Sequence, residues 1–296
     1  MKKTNTLLAS ALMLAVLSGC TDATAKLKDS STVLFSVGSV NVTKGTVYNM
    51  MKASSGASVA VNNATKFIAE KEVEVTEDMK KDAQSTLEAY IAYYGDSFTA
   101  YLEQNNMTKE SYVTDYLIPS LQADELIKKY INEKFDELTA RYKPVKATVL
   151  TFTAKEDAEA ALSELKDGSK SPADAAKGHN SSSKGDSQIY TIETSLDAMV
   201  KSVLTSAKPE EGWIMTASSD SSEYAVLRVD KNDASTFKDE AVTTLSSITN
   251  VENDSTTFWF KKYGFHVYDK TIYDAVAADY PDNLVQDMKE TPAETK

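Results

Sequence analysis

The chain has 296 residues, a formal net charge of −12 at pH 7 and 42% hydrophobic residues. This length allows about two domains, and the hydrophobic content is that of a folded protein. A chain this acidic does not bind nucleic acid by neutralising phosphates, so no nucleic-acid partner is expected. Cys20 is the single cysteine, which excludes an intramolecular disulfide and a cysteine metal site.

The first twenty residues have the pattern of a bacterial lipoprotein signal peptide. Lys2 and Lys3 precede an apolar run from Leu7 to Leu17, which is shorter than the roughly 20 residues that span a bilayer. The segment Leu17-Ser18-Gly19-Cys20 then matches the bacterial lipobox. The match predicts a signal peptide over residues 1–19 and acylation of Cys20 with diacylglycerol and palmitate. An ordinary secreted protein with a chance cysteine is the alternative.

The residues after the lipobox begin as a linker and continue as helices. Residues 20–32 are small and polar and predict a flexible, lipidated tether. Residues 33–42 predict a strand run with a Gly-Ser turn, and Thr43 is a predicted helix N-cap. From Thr76 to Tyr142, apolar residues recur every three or four positions, which predicts helices with a break at Gly95.

Pro144 marks a change to short strands and helices. The predicted elements are strands at 146–152 and 224–229 and helices at 156–165 and 196–206. Helical periodicity returns after Ser235, Phe265 to Tyr268 predicts a last strand, and residues 281–296 predict a disordered tail. Helices on both sides of a β-containing segment indicate an inserted domain.

The predicted fold class is therefore α+β. A helical domain would combine an N-terminal part, residues 33–143, with a C-terminal part, residues 235–280. The α+β domain inserted between them would comprise residues 145–231.

This arrangement resembles the PrsA-type foldases, which are surface lipoproteins of Gram-positive bacteria. Residues 37–44 resemble the opening strand, turn and capped helix of that family, and residues 261–269 resemble its closing strand. Residues 145–231 resemble a parvulin, the domain type that catalyses peptidyl-prolyl isomerisation (rotamase activity). Within it, Ser183-Lys184-Gly185-Asp186 resembles the parvulin Gly-Gly-Asp-Leu-Gly turn, and Glu211-Gly212-Trp213-Ile214 resembles the segment before the last strand.

The resemblance also implies where a catalytic parvulin carries its two histidines. By register these positions are Val149 and Ala225, whose side chains donate no hydrogen bond to a twisted amide. The resemblance therefore implies a degenerate parvulin domain with little or no catalysis, and an active peptidyl-prolyl cis-trans isomerase is the alternative. The candidate substrate groove consists of Met199, Val203, Trp213, Tyr224 and Asp186.

Tyrosines crowd one helical region. The candidate client-binding residues are Tyr90, Tyr94, Tyr101, Tyr112 and Tyr116. Tyrosine combines an apolar ring with a polar tip, which suits a surface that binds varied unfolded segments. We expect some of these rings to line a cleft and the others to belong to the core.

These features predict an extracytoplasmic chaperone, anchored by Cys20 to the outer face of the cytoplasmic membrane, for secreted proteins. Its partners would be unfolded or newly exported proteins, bound without a cofactor or metal, and a homodimer is left open. A solute-binding lipoprotein is a third hypothesis, and it would require two α/β lobes. His179 is predicted as a solvated loop residue, His266 as a half-buried strand residue and the acidic run 70–78 as a solvated face.

Overall fold

A computed structural model describes residues 25–286 of the chain. The predicted signal peptide, Cys20 and the last ten residues lie outside the described residues. The chain divides into two compact units, one formed up to Asn63 and from Gly264 onward, the other formed by Ala64–Tyr263. Within the described range, no helix combines the length and apolar character that crossing a membrane requires. The predicted α+β class is confirmed.

The first unit contains a β-hairpin, the first part of one helix and the whole of another. Strands β1 (Val33–Val37) and β2 (Val40–Thr43) pair in antiparallel register around a turn in which Gly38 has a φ of 59°. Thr43 then accepts a hydrogen bond from the Thr46 amide, as its predicted N-cap role requires, and α1 (Lys44–Glu72) begins. The first part of α1 belongs to this unit.

The last helix of the chain, α12 (Lys270–Asp279), also belongs to the first unit. Its N-cap is Asp269, which accepts hydrogen bonds from the amides of Thr271 and Ile272. Lys52 of α1 donates to the other carboxylate oxygen at 2.8 Å. Burial raises the pKa of Asp269, but the Lys52 bond and the two amides outweigh it and leave that pKa below its ordinary value.

Three segments of the first unit differ from the sequence-based expectation. Residues 28–31 form a turn that is hydrogen-bonded to the start of α1, where a free tether was expected. Phe265 to Tyr268 is irregular because the Gln286 side chain bonds both backbone groups of Val267, where a strand partner would otherwise bond. Residues 281–283, predicted as the start of the disordered tail, form a 3₁₀ turn with Asn283 buried.

The second unit begins with the end of α1 and continues through a series of helices. These are α2 (Glu77–Tyr94), α3 (Asp96–Gln104), α4 (Lys109–Tyr112), α5 (Ile118–Glu133) and α6 (Phe135–Tyr142), with a π-helical turn at Val113–Leu117 between α4 and α5. The predicted break at Gly95 is confirmed, since its φ of 53° ends α2. A second break at Lys134, which the sequence pattern did not show, separates α5 from α6.

A four-stranded antiparallel sheet follows within the same unit. Its elements are β3 (Val145–Phe152), α7 (Lys155–Asp167), α8 (Pro172–Gly178), β4 (Ser187–Tyr190), α9 (Ala198–Ser206), β5 (Ile214–Ala217) and β6 (Tyr224–Lys231). The strand order is β4-β3-β6-β5, so the two longest strands lie in the centre. Both strands place buried residues on both faces of the sheet, as expected of strands that are covered on both sides.

Alternating side chains of the sheet supply two separate cores. One face packs Val149, Ala225 and Leu227 against Leu204 of α9. The opposite face packs its own apolar residues, including Val226, against α7 and α8. Neighbouring residues along a strand point to opposite faces of the sheet. Only candidate residues on the same face can therefore contribute to one groove.

The helices after the sheet, α10 (Lys238–Leu245) and α11 (Thr249–Tyr263), pack on α5. Trp259 of α11 donates its indole N–H to the Leu126 carbonyl of α5 at 3.2 Å. The domain boundaries at 143–145 and 231–235 fall at the ends of the sheet, but the two compact units divide elsewhere, at residues 63 and 263. The inserted-domain boundaries therefore stay a prediction.

Candidate functional site

A pocket formed by aromatic rings lies where α2, α3 and α4 converge. Gly95 reverses the chain between α2 and α3, and its amide bonds the Ile91 carbonyl at 2.9 Å. Thr108 caps α4 in a reciprocal box with Ser111, and Tyr112 at the end of α4 contacts Tyr90 of α2. Leu87, Phe98 and Leu102 form the buried base of this corner.

The pocket has a volume of about 340 Å³. Its lining consists of Tyr90, Tyr94, Ser97, Phe98, Tyr101 and Tyr112. The rings meet mostly edge to face, with centroids 5.2 Å apart for Phe98 and Tyr112 and 6.0 Å apart for Tyr90 and Phe98. Edge-to-face contacts of this kind hold each ring in place and leave other ring faces open to a ligand.

The tyrosines of the pocket differ in exposure, with Tyr90 and Tyr112 forming its wall and Tyr94 and Tyr101 its rim. Tyr90 and Tyr112 are half-buried, whereas Tyr94 is 54% and Tyr101 45% exposed. Burial raises the pKa of Tyr112, and the neighbouring phenols of Tyr90, Tyr101 and Tyr116 raise it further, so this hydroxyl is protonated at neutral pH. The rim is therefore amphipathic, with rings that are accessible to a bound chain.

The structure brings four of the five candidate client-binding tyrosines into one cavity. The fifth, Tyr116, stacks on Tyr112 with centroids 5.5 Å apart at the side of the cavity. Phe98 and Ser97 complete the lining but were not among the candidates. The signal for Phe98 was present in the sequence, since Tyr90, Tyr94 and Phe98 follow one another at intervals of four, although Gly95 divides them between α2 and α3. Ser97 has no comparable signal.

The candidate substrate-groove residues of the α+β segment do not share one surface. Val203 packs on the α9 face of the sheet, whereas Trp213 and Tyr224 pack in the core on the opposite face. Met199 is exposed on α9, and Asp186 is exposed in the loop before β4. The separation follows from strand alternation, because Tyr224 and its neighbour Ala225 point to opposite faces.

The two positions that the resemblance assigns to histidine lie on the same face of the sheet. Val149 pairs with Leu227, and Ala225 pairs with Thr151 two residues along, so the two positions are diagonal neighbours. Val149 is 3% and Ala225 1% exposed, beneath α9. Both side chains contribute to the core and present no polar atom.

Three other predictions concern charged and titratable residues. His179 is not a solvated loop residue: it ends α8, is half-buried and bonds Glu164 with 2.8 Å between Nε2 and Oε2. His266 is half-buried as predicted, although outside a strand, with its ring 4.6 Å from that of Tyr268. Residues 70–78 are mostly exposed as predicted. Glu72 is an exception, because its carboxylate bonds Tyr263, Lys129 and Lys262.

Comparison with known proteins gives one sequence relative. No family model matches the chain. Foldase protein PrsA from Streptococcus mutans is 29% identical over 175 residues, which cover 56% of this chain and 50% of that protein. The chain thus spans about half the length of the curated relative it matches.

Comparison with solved structures also found matches to PrsA proteins. Foldase protein PrsA from Streptococcus pneumoniae is 17% identical, with 83% of this chain and 98% of that chain covered and a TM-score of 0.43. The peptidylprolyl isomerase PrsA from Bacillus cereus is 15% identical, with 84% and 98% covered and a TM-score of 0.47. The sequence match to the Streptococcus mutans protein bears out the predicted resemblance of this chain to the PrsA-type foldases.

Proposed function

We propose that this protein is an extracytoplasmic foldase that holds unfolded segments of newly exported proteins in the tyrosine pocket. The signal peptide and the lipid on Cys20 would place it on the outer face of the cytoplasmic membrane, where such segments emerge. Binding would be weak and repeated, without nucleotide or metal. The name of its Streptococcus mutans relative, a foldase, agrees with this role.

The observation that carries the proposal is the pocket itself. A cavity of about 340 Å³ accommodates one or two side chains of a client, and not a folded domain. Its rim tyrosines lose little conformational entropy on binding, because each has only two side-chain torsions. Aromatic walls with polar tips accept apolar side chains of differing shape, which is what a chaperone with many clients requires.

Replacing the two exposed rim rings tests this role. We expect the double variant Tyr94→Ala, Tyr101→Ala to bind a permanently unfolded, reduced and alkylated secreted protein about 10-fold more weakly, because truncating contacting aromatic residues costs about 1 kcal/mol or more. Suppression of client aggregation, followed by light scattering, should weaken in parallel. Circular dichroism checks that the fold is retained.

Tyr93 provides the matched control for that experiment. It neighbours Tyr94 on α2 and is 82% exposed, but it does not line the pocket. The variant Tyr93→Ala should bind the unfolded client within about 2-fold of the unmodified protein, because its ring lies outside the pocket, although it packs edge to face on Tyr94 with centroids 4.7 Å apart. Equal binding by all three proteins would refute the pocket as the client site.

We further propose that the α+β segment is parvulin-like but has little or no isomerase activity. Isomerisation must overcome a barrier of about 18–20 kcal/mol that arises from amide resonance. Catalysis requires groups that stabilise the twisted amide, and the positions that the resemblance assigns to them hold two buried apolar side chains, Val149 and Ala225. The proposal rests on these two residues.

An isomerisation assay distinguishes this proposal from its alternative, an active isomerase. We expect the protein to leave the relaxation of a short X-Pro peptide at its uncatalysed tens to hundreds of seconds. The same preparation should still suppress client aggregation, which shows that it is folded. Acceleration that is proportional to protein concentration would instead support the isomerase.

A further inference from the structure

We propose that the tyrosine pocket selects cationic side chains, so that its preferred clients are segments in which lysine or arginine lies among apolar residues. This inference rests on the proposed function and names the chemical class of the segment that the pocket holds. Three features support it: open aromatic faces, an acidic surround and the amphipathic shape of a cationic side chain.

The ring faces of the pocket are not occupied by the protein's own cations. Elsewhere, basic groups of this chain lie over aromatic rings, with Lys262 Nζ 4.3 Å from the centroid of Trp259 and Arg228 4.8 Å from that of Trp213. Among residues 25–286, no lysine or arginine is found in this position over a ring that lines the pocket. The pocket thus offers several tyrosine rings to an external cation.

The segment that builds the pocket is strongly acidic. Between residues 88 and 116 the acidic residues are Glu88, Asp96, Glu103, Glu110 and Asp115. Lys109 is the single basic residue in that range. The carboxylates of Glu88, Asp96 and Glu103 are exposed and have no salt-bridge partner among the described residues. Lys66 of α1 donates to the Asp115 carbonyl and adds one positive charge, so the segment that builds the pocket keeps a negative net charge. Such a surface attracts basic segments and repels acidic ones.

Lysine and arginine fit this combination better than a purely apolar side chain does. Their aliphatic stems can pack against the rings of Tyr94 and Tyr101 while the charged end stays close to solvent and to the carboxylates. A leucine would gain only the first of these interactions. The guanidinium of arginine can also stack on a tyrosine face.

Matched peptides test the selection. We would titrate the purified protein with a glycine-serine peptide that carries Leu-Arg-Leu at its centre, and with the same peptide carrying citrulline, a neutral isostere of arginine. In buffer containing physiological salt, the arginine peptide should bind about 5- to 30-fold more tightly, as expected of a partly desolvated cation over aromatic rings. The double variant Tyr94→Leu, Tyr101→Leu should abolish the preference, whereas the double variant Tyr94→Phe, Tyr101→Phe and the control Tyr93→Leu should retain it.

Two results would overturn the inference and leave the proposed function standing. One is equal binding of both peptides that is still weakened by the Tyr94→Leu, Tyr101→Leu variant, which would describe an apolar pocket. The other is an arginine preference that survives this double substitution, which would come from the overall negative charge. If neither peptide nor unfolded client depends on Tyr94 and Tyr101, both the inference and the proposed function fail.

Discussion

Replacing Glu72 with glutamine should lower the free energy of unfolding by about 1–3 kcal/mol at pH 7. Glu72 ends α1, and its carboxylate joins that helix to α5 and α11. Tyr263 donates its hydroxyl to Oε1 at 2.7 Å, Lys262 lies 3.2 Å from the same oxygen, and Lys129 donates to Oε2. Glutamine keeps an acceptor for Tyr263 but removes the charge that both lysines face.

The same contacts make this stabilisation depend on pH. Hydrogen bonds from Lys129 and Tyr263 lower the pKa of Glu72 from 4.5 to about 2, although burial opposes them. A folded-state pKa below the unfolded value stabilises the protein above pH 4.5, and this contribution is lost as the pH falls towards 2. The full shift would correspond to about 3 kcal/mol, and the half-exposed lysines reduce it through solvent screening.

Urea unfolding at several pH values checks this prediction. The difference between the unmodified protein and Glu72→Gln should be largest near pH 7 and should shrink steadily below pH 4.5. Glu70→Gln is the matched control on the same helix, since its carboxylate is exposed and 3.8 Å from Lys66, and it should change stability by less than about 0.5 kcal/mol. A pH-independent difference for Glu72→Gln would show that the charge is not the source of the stabilisation.

The sequence pattern predicts most local elements because their signals are local. Thr43 and Thr108 cap helices where a hydroxyl residue precedes an apolar periodicity, and Gly95 ends a helix in a conformation that favours glycine. The strand expected at Phe265 to Tyr268 failed for the opposite reason. Its apolar residues fit a strand, but the groups of Val267 bond the side chain of Gln286, nineteen residues away in sequence. No local pattern reports such a contact.

In the candidate site, too, features that depend on neighbouring residues could be predicted, whereas contacts between distant parts of the chain could not. The candidate tyrosines are predicted as a cluster because they crowd one helical region of the sequence. The substrate groove was carried over from a resemblance, and it failed to assemble because a register difference of one residue, as between Tyr224 and Ala225, reverses the face of a strand. Glu72 was missed because its partners come from two other helices.

Gly185→Ala should destabilise the protein by about 3 kcal/mol or more, because two penalties combine at this position. Gly185 has a φ of 83°, where a residue with a Cβ is strained by about 1–2 kcal/mol. An added Cβ would also lie 2.6 Å from the carbonyl carbon of Pro172 and 2.7 Å from the amide nitrogen of Ala173. Both atoms are backbone at the start of α8, so the contact cannot be relieved by a side-chain rotation.

Gly168 separates these two penalties. It ends α7 with a φ of 73°, but nothing lies within 4 Å of an added Cβ. Gly168→Ala should therefore cost only about 1 kcal/mol, from backbone strain alone. Urea unfolding followed by the fluorescence of the two buried tryptophans, Trp213 and Trp259, measures both variants. Equal costs at the two glycines would contradict the close approach of α8. A larger cost at Gly185 would show that close packing against α8 requires a glycine at this position. The glycine in this parvulin-like turn would then have a structural reason and would not indicate catalysis.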